Sequence, residues 1–186
     1  MLKVDELEGL IECKNLTFTY PGAQNPSLEN ISFTIRPKEK IGIIGKTGCG
    51  KTTLVDLLTR IYNVDEGCLY IDGIDIMQLP IQKVRDLISY VPQDNFLFND
   101  TILNNIAFSQ KSLSLEQAIL FAKYACVDDN IQEFPLKYET MIGERGVSLS
   151  GGQKQRISMA RAMAKNAKIL ILDDSVSAVD TKTEAN

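Results

Sequence analysis

Apolar and polar residues alternate along 9–20, GLIECKNLTFTY, and along 28–35, LENISFTI. A period of two predicts strands that show one face to a core. Pro21-Gly22 separates the two runs and predicts a turn. Pro37-Lys38-Glu39-Lys40 leads into Ile41-Gly42-Ile43-Ile44, a short apolar run that predicts a buried strand. Leu54-Val55-Asp56-Leu57-Leu58 then reads as helix. Tyr70-Ile71-Asp72-Gly73 continues the β-rich stretch, with a turn at Asp72-Gly73. A short helix is expected near Gln82–Asp86, then a strand over Leu87–Val91 that stops at Pro92-Gln93.

From about residue 101 to 135 the period becomes helical. Leu115, Ala118, Ile119 and Ala122 recur at helical spacing behind Ser114, a candidate N-cap. Residues 151–165 predict another helix, running into Ile169-Leu170-Ile171-Leu172, expected as a buried strand. The pattern is that of an α/β core with a helical insertion.

Composition narrows the class. The 186 residues suffice for one domain with a real core, or one domain with a small subdomain. Hydrophobic content of 44% and charged content of 24% are ordinary for a soluble globular chain. The net charge of −4 argues against nucleic acid as the main partner. No apolar run approaches the ~18 residues that a membrane span needs, and MLKVDELEGL does not read as a signal peptide. Any membrane role is therefore expected from a partner or from sequence outside these residues. Cys13, Cys49, Cys68 and Cys126 show no paired or metal-like spacing and read as reduced thiols.

Candidate chemistry begins at Gly45-Lys46-Thr47-Gly48-Cys49-Gly50-Lys51-Thr52, which fits G-x-x-x-x-G-K-[ST] at every fixed position. An apolar run before it and a helix after it supply the context in which backbone N–H groups and a helix N-terminus point at an anion. Lys51 would reach the β- and γ-phosphates of a nucleotide, and the Thr52 hydroxyl would hold Mg²⁺. Cys49 sits inside this loop beside Lys51, so its alkylation is expected to compete with nucleotide.

A second half of the site follows far along the chain. Ile169–Leu172 ends in Asp173-Asp174, four apolar residues and then a carboxylate, which places Asp173 where it can hold Mg²⁺ through water. Leu149-Ser150-Gly151-Gly152-Gln153 opens a helix and is a second N-terminus able to face an anion. A single-site kinase or GTPase has no use for a second such site here.

The run LSGGQKQRISMARAMAKNAKILILDD resembles the nucleotide-binding domain of ATP-binding cassette (ABC) transporters, and the resemblance extends over the whole chain. It implies a P-loop NTPase (RecA-like) α/β core with an antiparallel β subdomain and a helical subdomain that bears the signature. The core and β subdomain would take residues 1–93 and 154–186, and the helical subdomain 94–153. Tyr20 matches the aromatic residue that stacks on adenine. Gly45, Lys46, Thr47, Gly48, Cys49, Gly50, Lys51, Thr52 and Thr53 match the loop that binds ATP. Gln93, in Val91-Pro92-Gln93-Asp94, matches the Q-loop glutamine, which touches Mg²⁺. Metal binding would then fall to Thr52, Gln93 and Asp173. Catalysis would fall to Lys51, Gln93 and Asp174.

The resemblance also implies partners. Two such domains face each other head to tail, so Ser150, Gly151, Gly152 and Gln153 would contact ATP held by the other domain. Ser177-Ala178-Val179-Asp180 matches the D-loop of that interface. Phe96–Ile102 with Asn105-Ile106, and Gly143-Glu144-Arg145-Gly146, resemble exporter versions of segments that follow the Q-loop and contact a transmembrane domain. This points to an exporter of the multidrug or lipid type, at the cytoplasmic face of the plasma membrane. DNA-repair and chromosome-organising relatives insert long coiled coils between loop and signature, and the separation of 97 positions from Thr52 to Leu149 (149 − 52) leaves no room for them.

Two departures qualify the resemblance. The residue after the Walker B aspartate is usually Glu, and here it is Asp174. One methylene fewer draws the carboxylate back by about 1.5 Å, and a displacement of ~1 Å can slow a reaction about 10²-fold. Intact binding residues with Asp174 resemble the degenerate half of heterodimeric bacterial exporters, so the expected partner domain is a different subunit. A homodimer in which Asp174 works, and a module that clamps ATP with little hydrolysis, are the alternatives. The chain also has no histidine, and only six residues follow Asp180. It therefore reads as a fragment, incomplete at the C-terminus, that exposes apolar surface where further strands would pack.

Overall fold

The structure is a computed structural model and describes residues 7–143 and 146–173. The chain divides into two compact units, Met1–Ile88 and Ser89–Asn186.

In the first unit, β1 (Ile11–Phe18), β2 (Leu28–Ile35), β3 (Leu69–Ile71) and β4 (Ile74–Asp75) form an antiparallel sheet in the order β2-β1-β3-β4. The buried residues of β1 change parity, from Ile11 and Cys13 to Leu16. A regular strand cannot do this, because its side chains alternate strictly. The register with β2 shifts between Cys13 and Leu16, and Asn15 takes φ 49°, which supplies the extra residue of a bulge. β3 and β4 are joined through Asp72 and Gly73, both at positive φ, the geometry of a two-residue hairpin. The Asp72 carboxylate also accepts the N–H groups of Glu8, Gly9 and Leu10, which anchors the segment entering β1. Helix α1 (Lys51–Leu58) buries Leu54, Leu57 and Leu58, and α2 (Ile81–Leu87) buries Val84.

The strand expected at Ile41–Ile44 does not form. Residues 39–46 have no regular secondary structure, and Ile41, Ile43 and Ile44 are exposed, Ile44 by 99%. A strand needs a neighbour for its backbone groups, and none of the described strands pairs with this stretch.

The second unit contains all but the first residue of β5 (Ile88–Val91), then β6 (Asp100–Thr101), α3 (Ile102–Ile106), α4 (Leu115–Tyr124), α5 (Asp128–Gln132), β7 (Met141–Ile142), α6 (Gly151–Ala164) and β8 (Ile169–Leu172). Its core gathers Ile102 and Ile106, Ala118 and Ala122, and Ile157 and Ala160. Small alanines on α4 and α6 let helices approach closely. Ser114 caps α4 with a full capping box, its hydroxyl accepting from the Gln117 N–H while the Gln117 side chain accepts from the Ser114 N–H. Leu115 lies on the same stripe as Ala118 and Ala122 but is exposed as the first residue of the helix.

β8 pairs with β5, and the Asp173 N–H donates to the Val91 carbonyl at 3.0 Å. The sequence predicts β8 as a buried strand. Instead Leu170 and Leu172 are exposed and Ile169 and Ile171 half-buried, because successive side chains of a strand point to opposite faces and one face is left uncovered among the described residues. No helix among the described residues is long and apolar enough to cross a membrane.

Candidate functional site

The glycine loop is exposed over Gly45–Cys49 and leads through the half-buried Gly50 directly into α1. Gly50 is the N-cap, with φ 94° and ψ 11°, and no side chain caps the helix. No acidic residue occupies the first turn of α1. That end carries the partial positive charge of the helix, with backbone N–H groups directed along its axis, the properties that favour a phosphate.

The loop is closed by its own lysine. The Lys51 ammonium donates to the Gly45 carbonyl at 2.9 Å and the Lys46 carbonyl at 3.2 Å, and lies 3.9 Å from the Cys49 sulfur. The Cys49 N–H donates to the Lys46 carbonyl, so the loop folds into a tight turn around that cation. A β-carbon at Gly45 would collide with the Cys49 sulfur, and one at Gly50 would stand 2.6 Å from both the Ser27 carbonyl and Leu28 Cδ2. Only glycine fits the positive φ and the close approach at Gly50. Thr47 and Thr52 are exposed, and Thr53 is buried.

Tyr20 is brought to the same helix. Its hydroxyl lies 3.2 Å from the Asp56 carboxylate and 3.0 Å from the Thr53 hydroxyl. Its ring meets Phe18 and Tyr62 edge to face, with centroids 5.1 and 5.0 Å away. Burial pushes the Tyr20 phenol above its ordinary value, with the Thr53 bond acting in the opposite direction and Asp56 adding to the rise. The structure thus gathers Tyr20 with the loop helix, as the sequence implies, and adds Asp56 and Tyr62. Asp56 was legible as a lone carboxylate in the apolar run Leu54–Leu58, whereas nothing marked Tyr62.

In the second unit, Ser150 caps α6. Its hydroxyl accepts from the Gln153 N–H at 3.2 Å, and the Gln153 side chain accepts from the Ser150 N–H at 2.9 Å. This capping box satisfies the third donor of the helix and leaves the Gly151 and Gly152 N–H groups at its head without intrahelical acceptors. Leu149 is buried in the helical core, so the turn is fixed just before the exposed Ser150. Space is open around Gly151.

Asp173 follows β8 and its carboxylate accepts from the Tyr90 hydroxyl at 3.2 Å. Tyr90 had no sequence signal. Gln93 lies in a bend after β5 and is exposed, with its carbonyl accepting from the Asn95 amide. Asp174, Glu144, Arg145 and Ser177–Asp180 lie outside the described residues.

The segment after Gln93 is tied down by Arg161 of α6. Its guanidinium donates to the carbonyls of Asn105 and Phe96, both at 2.8 Å, and to Asn105 Oδ1 at 2.6 Å. It also lies over the Phe98 and Phe108 rings, which stack with centroids 4.3 Å apart. Burial lowers the guanidinium's proton affinity. Asn105, 1% exposed, returns two bonds to the Phe98 and Thr101 carbonyls and accepts the Phe98 N–H.

Among the described residues no group of three or more His, Cys, Asp or Glu is placed to hold a metal.

The ABC transporter family matches residues 28–177. An ATP-dependent lipid A-core flippase of Methylobacillus flagellatus is 47% identical over 98% of this chain and 31% of its own length. A probable multidrug resistance ABC transporter ATP-binding/permease protein of Bacillus subtilis is 47% identical over 95% of this chain and 30% of its own. A solved structure of a bacterial Atm1-family ABC exporter with ATP bound superposes with a TM-score of 0.88 at 39% identity, over 95% of this chain and 31% of that one. The chain thus spans about a third of the length of these relatives. With the family matched across most of its residues, and with the glycine loop and signature turn both heading helices, this chain belongs to the ABC transporter family.

Proposed function

We propose that the chain binds and hydrolyses ATP as the motor domain of an exporter, with Mg²⁺ arriving on the nucleotide. The observation that carries this reading is the uncapped head of α1, closed by Lys51 on the carbonyls of Gly45 and Lys46. When phosphate enters, the Lys51 ammonium exchanges neutral carbonyls for anionic oxygens, a stronger charge-assisted contact. The N–H groups of α1 orient the same phosphates. Mg²⁺, held by Thr52, Gln93 and Asp173, would screen charge on the transferring phosphoryl group. Asp174 would orient the attacking water.

The names of the relatives, an ATP-dependent flippase and a multidrug resistance transporter, support an exporter of lipid or drug type. In this proposal the motor works as a pair. The Ser150–Gln153 turn of one domain faces ATP held by a second nucleotide-binding domain, expected to be a different subunit because of Asp174. A transmembrane domain receives the stroke, which puts the chain at the cytoplasmic face of the plasma membrane. ATP drives the change to the extent that it binds the closed pair better than the open one.

The test is ATP binding and turnover by the parent, Lys51→Ala and Asp174→Glu across protein concentration. Lys51→Ala should weaken binding at least about tenfold. Asp174→Glu should leave affinity unchanged and raise turnover at least about tenfold. A parent that binds no ATP, or a Lys51→Ala chain that binds it equally well, would sink the proposal.

A further inference from the structure

Helix α1 buries Thr53, Leu54, Val55, Leu57 and Leu58, and Asp56 interrupts that apolar run. Aspartate is a poor helix former. In the second half of an eight-residue helix its charge also lies toward the negative end of the dipole. No basic residue occupies the last turn, and among the described residues no lysine or arginine pairs with it. Local structure therefore gives no reason for a carboxylate here.

Tertiary contacts do. Tyr20 has a single hydroxyl proton, and it goes to the Asp56 carboxylate at 3.2 Å. The 3.0 Å contact with Thr53 then runs the other way, the Thr53 hydroxyl donating to the Tyr20 oxygen. The main chain of the same aspartate holds the other ring. Its carbonyl accepts the N–H groups of Ile61 at 2.8 Å and Tyr62 at 3.4 Å, and the Tyr62 ring meets Tyr20 at 84°. Asp56 thus fixes Tyr20 through its side chain and places Tyr62 through its backbone.

We infer that Asp56 is a positioning residue for the nucleobase, acting through the Tyr20 hydroxyl; this rests on the ATP-site reading above. The bracket joins the Tyr20 ring to the helix whose N-terminus carries Lys51 and Thr52, so base platform and phosphate loop keep one register. A nucleotide offers its base and its phosphates at a fixed span. A platform free to swing would lose the base without losing the phosphates, and small misplacements are expensive in such a site.

The experiment compares ATP with inorganic tripolyphosphate, which has the phosphates and no base, by direct titration of the full chain. Urea melts of every variant run alongside. Tyr20→Phe and Asp56→Ala should each weaken ATP about 5-fold, as loss of one hydrogen bond allows, and leave tripolyphosphate unchanged. The double variant should be no weaker than Tyr20→Phe alone, because Tyr20→Phe already removes the bond to Asp56. Asp56→Asn keeps an acceptor oxygen and should restore ATP affinity. Equal loss of both ligands in Asp56→Ala, or parental ATP affinity in Asp56→Ala, overturns the inference while the ATP site stands. A parent that binds neither ligand overturns the site itself. Should Asp56→Ala fail to fold, Asp56→Leu takes its place, since it also removes the acceptor for the Tyr20 hydroxyl while keeping the side-chain volume and leaving the Thr53 contact.

Discussion

Three glycines of the loop region separate the effects that hold the phosphate loop against the first unit. Gly42 has an ordinary φ and open space around its Cα, Gly48 has φ 81° and open space, and Gly50 has φ 94° with Ser27 and Leu28 pressed against it. Alanine at Gly42 should fall within about 0.5 kcal/mol of the parent, since it only reduces the freedom of the unfolded chain. At Gly48 it meets left-handed strain of about 1–2 kcal/mol, partly offset by that same entropy term, leaving a loss near 1 kcal/mol. At Gly50 the strain recurs and a β-carbon also stands 2.6 Å from a backbone carbonyl that cannot rotate away. Overpacking of this kind adds about 1–3 kcal/mol, so Gly50→Ala should lose about 2–4 kcal/mol. Urea unfolding at constant m reads the series, and ATP titration reads its consequence. The collision lies at the head of α1, so relief by shifting that head should weaken ATP at least about tenfold in Gly50→Ala. Gly42→Ala should bind as the parent does. If Gly50→Ala is no less stable than Gly48→Ala, the close approach to Ser27 and Leu28 contributes nothing and the reasoning is wrong.

Alkylation of exposed Cys49 should block ATP binding, and MgATP should slow the labelling; equal rates with and without MgATP refute a sulfur inside the phosphate hollow. Cys13 should stay unlabelled at about pH 8, because burial pushes its thiol up to about 11 and keeps it protonated. Arg161→Met removes three hydrogen bonds and strands the Asn105 and Phe96 carbonyls, for a loss of about 3 kcal/mol in urea melts. Arg161→Lys should recover part of that and no more, lacking the planar fork; full recovery would show that charge alone suffices. Tyr90→Phe removes a donor to Asp173 and should raise the Mg²⁺ needed for half-maximal turnover about 2–10-fold, whereas an unchanged Mg²⁺ dependence would make that contact incidental.

Much of the chain was legible because the forces that shape it are local. The period of two over residues 28–35 became β2 with those same ends, and the turn at Asp72-Gly73 became the β3–β4 hairpin. Ser114 capped α4 as expected, and Gly151–Ala164 is a helix. Each of these depends on neighbours a few residues apart. Ile41–Ile44 and Ile169–Leu172 read alike, as apolar runs, yet the first has no strand pairing and the second is a strand with half its side chains exposed. An apolar run states only that burial would be favourable, and whether a strand pairs with it and a layer covers its faces is a non-local fact.

The candidate site divides along the same line. Composition and spacing along the chain determined the phosphate loop, the signature turn and the carboxylate after β8, because backbone donors at glycine turns and helix ends are set by a handful of adjacent residues. Tertiary structure alone decided that Tyr20 donates to Asp56, 36 positions away, that Tyr90 meets Asp173, 83 away, and that Arg161 holds Asn105, 56 away. Hydrogen bonds between side chains so far apart leave no periodicity in the sequence. They exist only once the sheet and the helices have set the distances.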